Sequence, residues 1–240
     1  MALVYSKADR NFTESSVHFV QLYPEYKGPQ QMSLSRSGYE SGYATKLLGF
    51  FYLSNADPGR ADLSSEWNIW MQNGIPGKIT YAPLPPPINS QNMECCIVNG
   101  IGHTYYFSSN RNGSWDIYEA IWDGNEFTSV NKIKGPNTEK YGEWPSYMDP
   151  EGRFMLFSSI RDTGMGGDDI YISYRDGETW SDGILLPAPI NSASYEDSAI
   201  LSPDGDYILW SSRRPTDFSE GIGNIYYLET NIPELREFFR

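Results

Sequence analysis

One pattern constrains the fold of this chain more than any other: a short apolar stretch ending in serine that recurs every 48 to 54 residues. The serines are Ser6, Ser54, Ser108, Ser158 and Ser211. Around the last of them the chain reads turn, apolar strand, Ser-Pro-Asp-Gly turn, second apolar strand, polar loop and third strand, over residues 191–226. The same order appears over 137–173 and 89–120, more faintly over 35–71, and in half over 3–20. A period near fifty with three or four short strands per unit predicts a β-propeller. Such a unit cannot bury its apolar faces alone, so the units must stack. The expected fold is all-β: a five-bladed β-propeller of four-stranded antiparallel blades. One domain spans residues 1–240, with units near 1–35, 36–88, 89–136, 137–190 and 191–240.

Within the units, inner strands are expected at 42–45, 95–98, 146–148 and 198–201, each followed by a serine-terminated second strand and a third strand. Pro83, Pro85, Pro86 and Pro87 lack donors and mark an extended crossing between blades. No ten-residue stretch carries a 3.6 period, so no helix is expected beyond one turn near 233–239. The chain begins at a second strand, residues 3–6, which leaves the first unit without an inner strand. An open ring exposes an unpaired edge, so residues 235–240 are expected to pair beside 3–6 and close it. The competing arrangement makes the tail the outer strand of the last blade.

Three segments carry a family likeness. LSPDGDYILWSSRR (201–214), DPEGRFMLFSSIRD (149–162) and the Asp-Ile-Tyr triplets at Asp116 and Asp169 resemble the WD40-like repeats called PD40, found in TolB-like propellers. The first two units depart from it: Asn68-Ile69-Trp70 replaces the triplet, and Asp9 and Asp57 stand where later units carry arginine. The resemblance implies the propeller fold. It also implies what TolB-like relatives do, which is to work in the periplasm and bind peptides or proteins. This architecture hosts many unrelated activities, so function has to be argued from a site.

Bulk properties narrow the field. Eighteen basic residues against 31 acidic give a net charge of −13, which argues against a nucleic-acid partner. No apolar run is long enough for a membrane span, and the first residues carry no signal-peptide core. The expected location is therefore cytoplasmic for the sequence as it stands, and periplasmic or secreted for one that has lost a signal. Cys95 and Cys96 are adjacent and point to opposite strand faces, so they build no disulfide framework. His18 and His103 form no spaced ligand motif, and the glycine-rich 164–169 loop lacks the alternating oxygens of a calcium loop. Neither a metal nor a cofactor is expected.

Up-and-down strands bring the start of each inner strand and the loop after each second strand to one face. Glu40, Glu94, Glu143 and Glu196 lie there, each 14 or 15 residues before its serine, and Arg111, Arg161 and Arg214 lie three residues after theirs. One reading is a ring of carboxylates at a channel mouth, holding a cation, an amine or a sugar hydroxyl, or acting as acid and base. The other is architectural: each glutamate takes backbone N–H bonds or an arginine reaching across the blade boundary. Repetition in every unit favours architecture. Asp9 and Asp57 in place of arginine would make the ring asymmetric. The aromatics beside the glutamates, Tyr39, Trp144 and Tyr195, are placed to cover a ligand. The functional expectation is a propeller that holds a small molecule or peptide at its channel mouth. The alternatives are a small-molecule hydrolase, lyase or cyclase using those carboxylates, and a plain interaction platform. A glutamate in an aromatic pocket with a raised pKa and no arginine partner, beside repeats that are salt-bridged, would favour the enzyme, and four glutamates paired alike would count against it.

Overall fold

The computed structural model describes residues 2–8, 15–21, 27–31, 40–44, 50–56, 58–75, 78–215 and 223–239. Their strands follow one another in meanders, as the hairpin-rich sequence requires, and form five antiparallel sheets. The first holds β1 (Ala2–Ala8), β2 (Ser15–Gln21) and β3 (Lys27–Gln31). The second holds β4 (Glu40–Ala44), β5 (Phe50–Ser54), β6 (Asn68–Ile75) and β7 (Lys78–Pro83). The third holds β8 (Glu94–Asn99), β9 (Thr104–Ser109), β10 (Asp116–Trp122) and β11 (Phe127–Lys132). The fourth holds β12 (Glu143–Met148), β13 (Phe154–Ser159) and β14 (Asp169–Asp176), with short β15 (Thr179–Trp180) and β16 (Ile184–Leu185) both paired to β14. The fifth holds β17 (Glu196–Leu201), β18 (Tyr207–Ser212) and β19 (Asn224–Glu229). No described residue is helical. No helix among them is long and apolar enough to cross a membrane.

The cores lie between sheets. Each strand alternates its side chains, so a sheet has a leading face toward the next sheet and a trailing face toward the previous one. Phe51 and Ile69 on the second sheet pack against Tyr105, Phe107 and Tyr118 on the third. Tyr106 and Ile117 lead from the third sheet to Met155, Phe157 and Tyr171 on the fourth. Phe154, Leu156, Ile170 and Ile172 lead from the fourth to Ile208 and Trp210 on the fifth.

The linkers into the third, fourth and fifth sheets each carry a buried or half-buried asparagine that ties the junction. Asn191 accepts from the Ile170 N–H at 2.8 Å and donates to the Ile170 and Leu186 carbonyls, both at 2.8 Å. Asn89 does the same for Ile69 and Leu84, and Asn137 for Ile117 and Ile133.

Several expectations need correction. The inner strands begin at the glutamates themselves, and the fourth starts at Glu143, three residues before the expected 146. Pro145 sits inside it because the register shifts between Pro145 and Tyr147, and a bulge tolerates a residue without a donor. β7 is the outer strand from which the proline run crosses, and it takes in Pro83, the first proline of that run, at its end. Among the described residues the sheets have three, four, four, five and three strands, so four per blade holds there for two of them.

The tail does not close a ring. Residues 230–238 form turns, and no described strand of the fifth sheet touches the first. Leu235 is fully buried, Phe239 lies 5.8 Å from Phe154, and the Phe238 carbonyl accepts from the Tyr174 hydroxyl at 3.0 Å. Burying this apolar cluster against the fourth and fifth sheets outweighs adding a strand at β1.

The serine register also shifts. Ser54 faces Glu40, whereas Glu94, Glu143 and Glu196 face Ser109, Ser159 and Ser212. The later inner strands each carry an irregularity that adds a residue, and β4 does not. Ser54 therefore corresponds to Ser109, and Ala56 rather than Asp57 takes the arginine position. The serine hydroxyl accepts from the N–H two residues on in both places, from Ala56 at 3.1 Å and from Arg111 at 3.2 Å. Asp9 and Asp57 lie outside the described residues.

Candidate functional site

Glutamate, serine and arginine of each blade meet at the end of the sheet where the inner strand starts. The fully buried Glu94 accepts from the Ser90 N–H at 3.0 Å, the Ser90 hydroxyl at 2.6 Å, the Ser109 hydroxyl at 2.8 Å and Arg111 at 3.1 Å. Arg111 also donates to the Pro87 and Ile88 carbonyls, and its guanidinium lies over the Tyr118 ring. Glu196 repeats this with Ser192, Ser212 and Arg214, the last at 3.2 Å. Glu143 accepts from Thr138 at 2.8 Å and Arg161 at 3.3 Å. The bridge thus lies within one blade and the linker leading into it, not across the boundary. The three pairs share this plan, except that the Glu143 Oε2 is buried without a hydrogen-bond partner. For Glu40 the backbone pairing with Ser54 is described, and Ala56 offers it no guanidinium.

Burial is the largest influence on two of these carboxyls. It raises Glu94 against the pull of Ser90, Ser109 and Arg111. It lifts Glu143 to about 7 against Thr138 and Arg161.

The repeat is broken at one junction. In the second, third and fourth sheets the residue before the third strand gives its carbonyl to the next inner glutamate: Trp67 to Glu94 at 3.2 Å, Trp115 to Glu143 at 3.0 Å and Asp168 to Glu196 at 2.7 Å. The residue after each glutamate is Cys95, Trp144 and Asp197 in turn. Trp115 and Trp144 come together with ring centroids 6.4 Å apart. At the next junction those two positions hold Asp168 and Asp197. Burial raises Asp168 to about 6, with the Asp197 charge adding to it and Arg213 opposing. Asp197 is also raised by burial, against the Ser198 hydroxyl, Arg213 and Ser211. The Asp168 Oδ1 is buried without a hydrogen-bond partner. Arg213 follows β18, donates its N–H to the Tyr195 carbonyl at 2.9 Å and places its guanidinium 5.0 Å from the Tyr195 ring centre.

Of the aromatics named from sequence, Trp144 is half-buried and Tyr195 is 44% exposed, and neither belongs to a core cluster. Gly167 lies against the Tyr195 ring, 2.4 Å from where a Cβ would stand. Tyr39 lies outside the described residues. His103 is an exposed turn residue, and Cys95 and Cys96 are unbridged. No cluster of three potential metal ligands occurs among the described residues. Reading motifs for recurrence passed over Asp168, Asp197 and Arg213 because they do not recur. Aligning the units would have exposed them, since Asp168 stands where Trp67 and Trp115 stand and Asp197 where Cys95 and Trp144 stand.

No family model matches the chain, and no curated protein does. Among solved structures it is similar to TolB from Acinetobacter baumannii, at 14% identity and a TM-score of 0.55, over 96% of this chain and 51% of that one. It is similar also to an α-L-arabinofuranosidase from Lactobacillus brevis, at 8% identity and a TM-score of 0.55, over 96% of this chain and 88% of that one. The chain spans about half the length of TolB. At such identities the likeness shows the fold alone. It defines the class: an all-β protein of propeller-like antiparallel sheets.

Proposed function

We propose that this chain is a ligand-binding β-propeller of the PD40, TolB-like kind, with its five sheets as successive blades. It holds a small molecule or peptide where the inner strands begin. Asp168, Asp197 and Arg213 make the polar contacts, with Tyr195 and Trp144 beside them. One observation carries this reading: a tryptophan pair at one junction of a repeated structure gives way to two carboxylates with raised pKa values at the next. Architecture repeats, and a recognition site is singular. The glutamates and arginines of the three blades bond to one another and to the linkers, with only the Glu143 Oε2 among those carboxylate oxygens left without a partner, and their recurrence assigns them to holding the blades.

Two half-buried carboxylates beside one arginine suit a ligand bearing an amine or several hydroxyls, with a tyrosine ring to cover it. The raised Asp168 favours a second reading, in which the pair shares a proton and acts as acid and base on a small substrate. Calorimetry with polyamines, aminosugars and short basic peptides tests the binding reading. Wild-type binding that falls at least tenfold in Asp197→Asn and Asp168→Asn is expected. Binding indifferent to both substitutions would overturn the assignment, as would no binding across the panel. Turnover of a bound compound, lost in Asp168→Asn, would establish the enzyme instead.

A further inference from the structure

The residue that opens the third strand is wholly buried in the second, third and fourth sheets, as Asn68, Asp116 and Asp169. Each pairs with the serine that ends the second strand, and Asn224 holds the same place in the fifth sheet. Two of the four are thus neutral amides and two are carboxylates. A buried carboxylate is costly unless a cation or a full set of donors meets it. The third sheet meets it with its own side chains. Ser114 donates its hydroxyl to Asp116 Oδ2 at 2.8 Å, and the Lys132 ammonium lies 2.6 Å from Oδ1, an ion pair without hydrogen-bond alignment. Lys132 stands opposite Tyr118, which shares a strand face with Asp116.

In the fourth sheet the Asp169 Oδ2 accepts from the Met165 and Gly166 N–H groups at 2.8 and 3.2 Å. Its Oδ1 has no hydrogen-bond partner, and Leu185, opposite Tyr171, holds the place of Lys132. The Tyr171 hydroxyl, on the same face as Asp169, is also buried without a hydrogen bond, although Thr163 stands near it. By contrast the Tyr118 hydroxyl accepts from Asn112 at 2.8 Å, while Asp162, at the place of Asn112, turns outward to Lys140. Arg161 lies over Tyr171 as Arg111 lies over Tyr118, so the arginines do not distinguish the two sheets. Asn68 has an unpartnered Oδ1 too, so that feature belongs to the position. A buried carboxylate at that position without a lysine belongs, among the described residues, to the fourth sheet alone. Burial raises the Asp169 carboxyl against its two N–H donors, and the Glu196 charge adds to the rise.

We propose that the fourth sheet binds a small monovalent cation at Asp169 and Tyr171, where the third sheet uses the ammonium of Lys132. The lysine defines the chemistry: one positive charge of ammonium size against one carboxylate oxygen. One carboxylate and one phenol are too few for calcium, which takes about six oxygens or more. That agrees with the lack of a three-ligand cluster among the described residues. A free ammonium or potassium ion fits, and so does the terminal amine of a larger ligand. Tyr171 packs toward Tyr106 and Ile117 of the third sheet, away from Asp197 on the fifth. The proposal therefore does not rest on the reading given to Asp168 and Asp197.

Urea denaturation in ammonium, potassium, propylammonium and tetramethylammonium chloride, at one ionic strength and above neutral pH, tests this. Relative to bulky tetramethylammonium, the midpoint should rise with ammonium or potassium and then level off as the site saturates. The same rise with propylammonium would assign the place to a ligand's amine, and its lack would assign it to an inorganic ion. Asp169→Asn puts there the residue that two other sheets carry, and its midpoint should be equal in all four salts. Leu185→Lys should behave alike by supplying its own ammonium. Lys132→Met should add a cation response at Asp116. A wild-type midpoint equal in all four salts overturns the proposal and leaves the two oxygens to water or a proton. A cation response that survives Asp169→Asn overturns it too, and that variant decides the matter if Leu185→Lys fails to fold. Stability is the readout here and ligand affinity the readout for Asp168 and Asp197, so either reading can fail alone.

Discussion

Arg214 and Glu196 meet at 3.2 Å with the carboxylate wholly buried, and the same guanidinium also reaches Ser212, Pro189 and Ile190. One side chain thus ties the linker, the inner strand and the second strand of a blade together. Removing it leaves a buried charge without its partner, which costs about 3–5 kcal/mol. Arg214→Ala should therefore lower the urea midpoint sharply. Arg214→Lys should recover little, because an ammonium cannot serve four acceptors spread around a planar fork. Full recovery by lysine would mean that charge alone matters and the fork does not.

Glu143 makes the pair with a pH signature. Its carboxyl is raised to about 7, while an unfolded glutamate titrates near 4.3. The folded state holds the proton more tightly, so this group's contribution is complete below about pH 4.3 and is lost as pH rises through about 7. Glu143→Gln has no such loss. From pH 5 to pH 8 the stability difference should move in favour of the glutamine variant by about 1–2 kcal/mol, a figure reduced from the full shift for solvent screening. Denaturant curves at the two pH values check it, and a constant difference would contradict it.

The junction asparagines should behave as structural keystones. Asn191 serves one buried N–H and two buried carbonyls of its neighbours. Asn191→Ala strands these groups, at about 1–3 kcal/mol for each one left unsatisfied. A loss of about 3 kcal/mol or more is expected by chemical denaturation. A loss below about 1 kcal/mol would mean that water replaces the amide without penalty.

The fold was legible because its signal recurs: serine-ended strands, Asp-Ile-Tyr triplets and Asp-Gly turns place strands in all five sheets. The register was less so. The irregularity near Cys96, where φ reaches 59° as it does at Ser198 with 57°, adds a residue that no local composition announces. The same blindness misassigned Asp57, since it counted β4 as though it had the irregularity. The tail misled for another reason. A closing strand and a buried apolar turn share the same Leu and Phe, and only packing against Phe154 and Tyr174 decides between them. At the site, the glutamates were found and their partners named, but recurrence drew attention away from the one junction where the pattern fails.

That junction yields the last prediction. Asp168 titrates near 6 because burial and the Asp197 charge oppose its ionisation more than Arg213 assists it. Below that pH Asp168 is neutral, and above it its carboxylate forms. Affinity for a cationic ligand should therefore rise between pH 5 and pH 7 and then level off. Each unit of pH over the steep part can bring at most about a tenfold gain for one proton released. Asp168→Asn fixes that position neutral, so its affinity should be low and flat over the same range. Glu143 titrates in a neighbouring window, and Glu143→Gln should leave the affinity profile unchanged while altering stability. Calorimetry at four pH values with one polyamine separates these cases. A wild-type profile that is flat, or one that Glu143→Gln abolishes, would show that Asp168 is not the group the ligand senses.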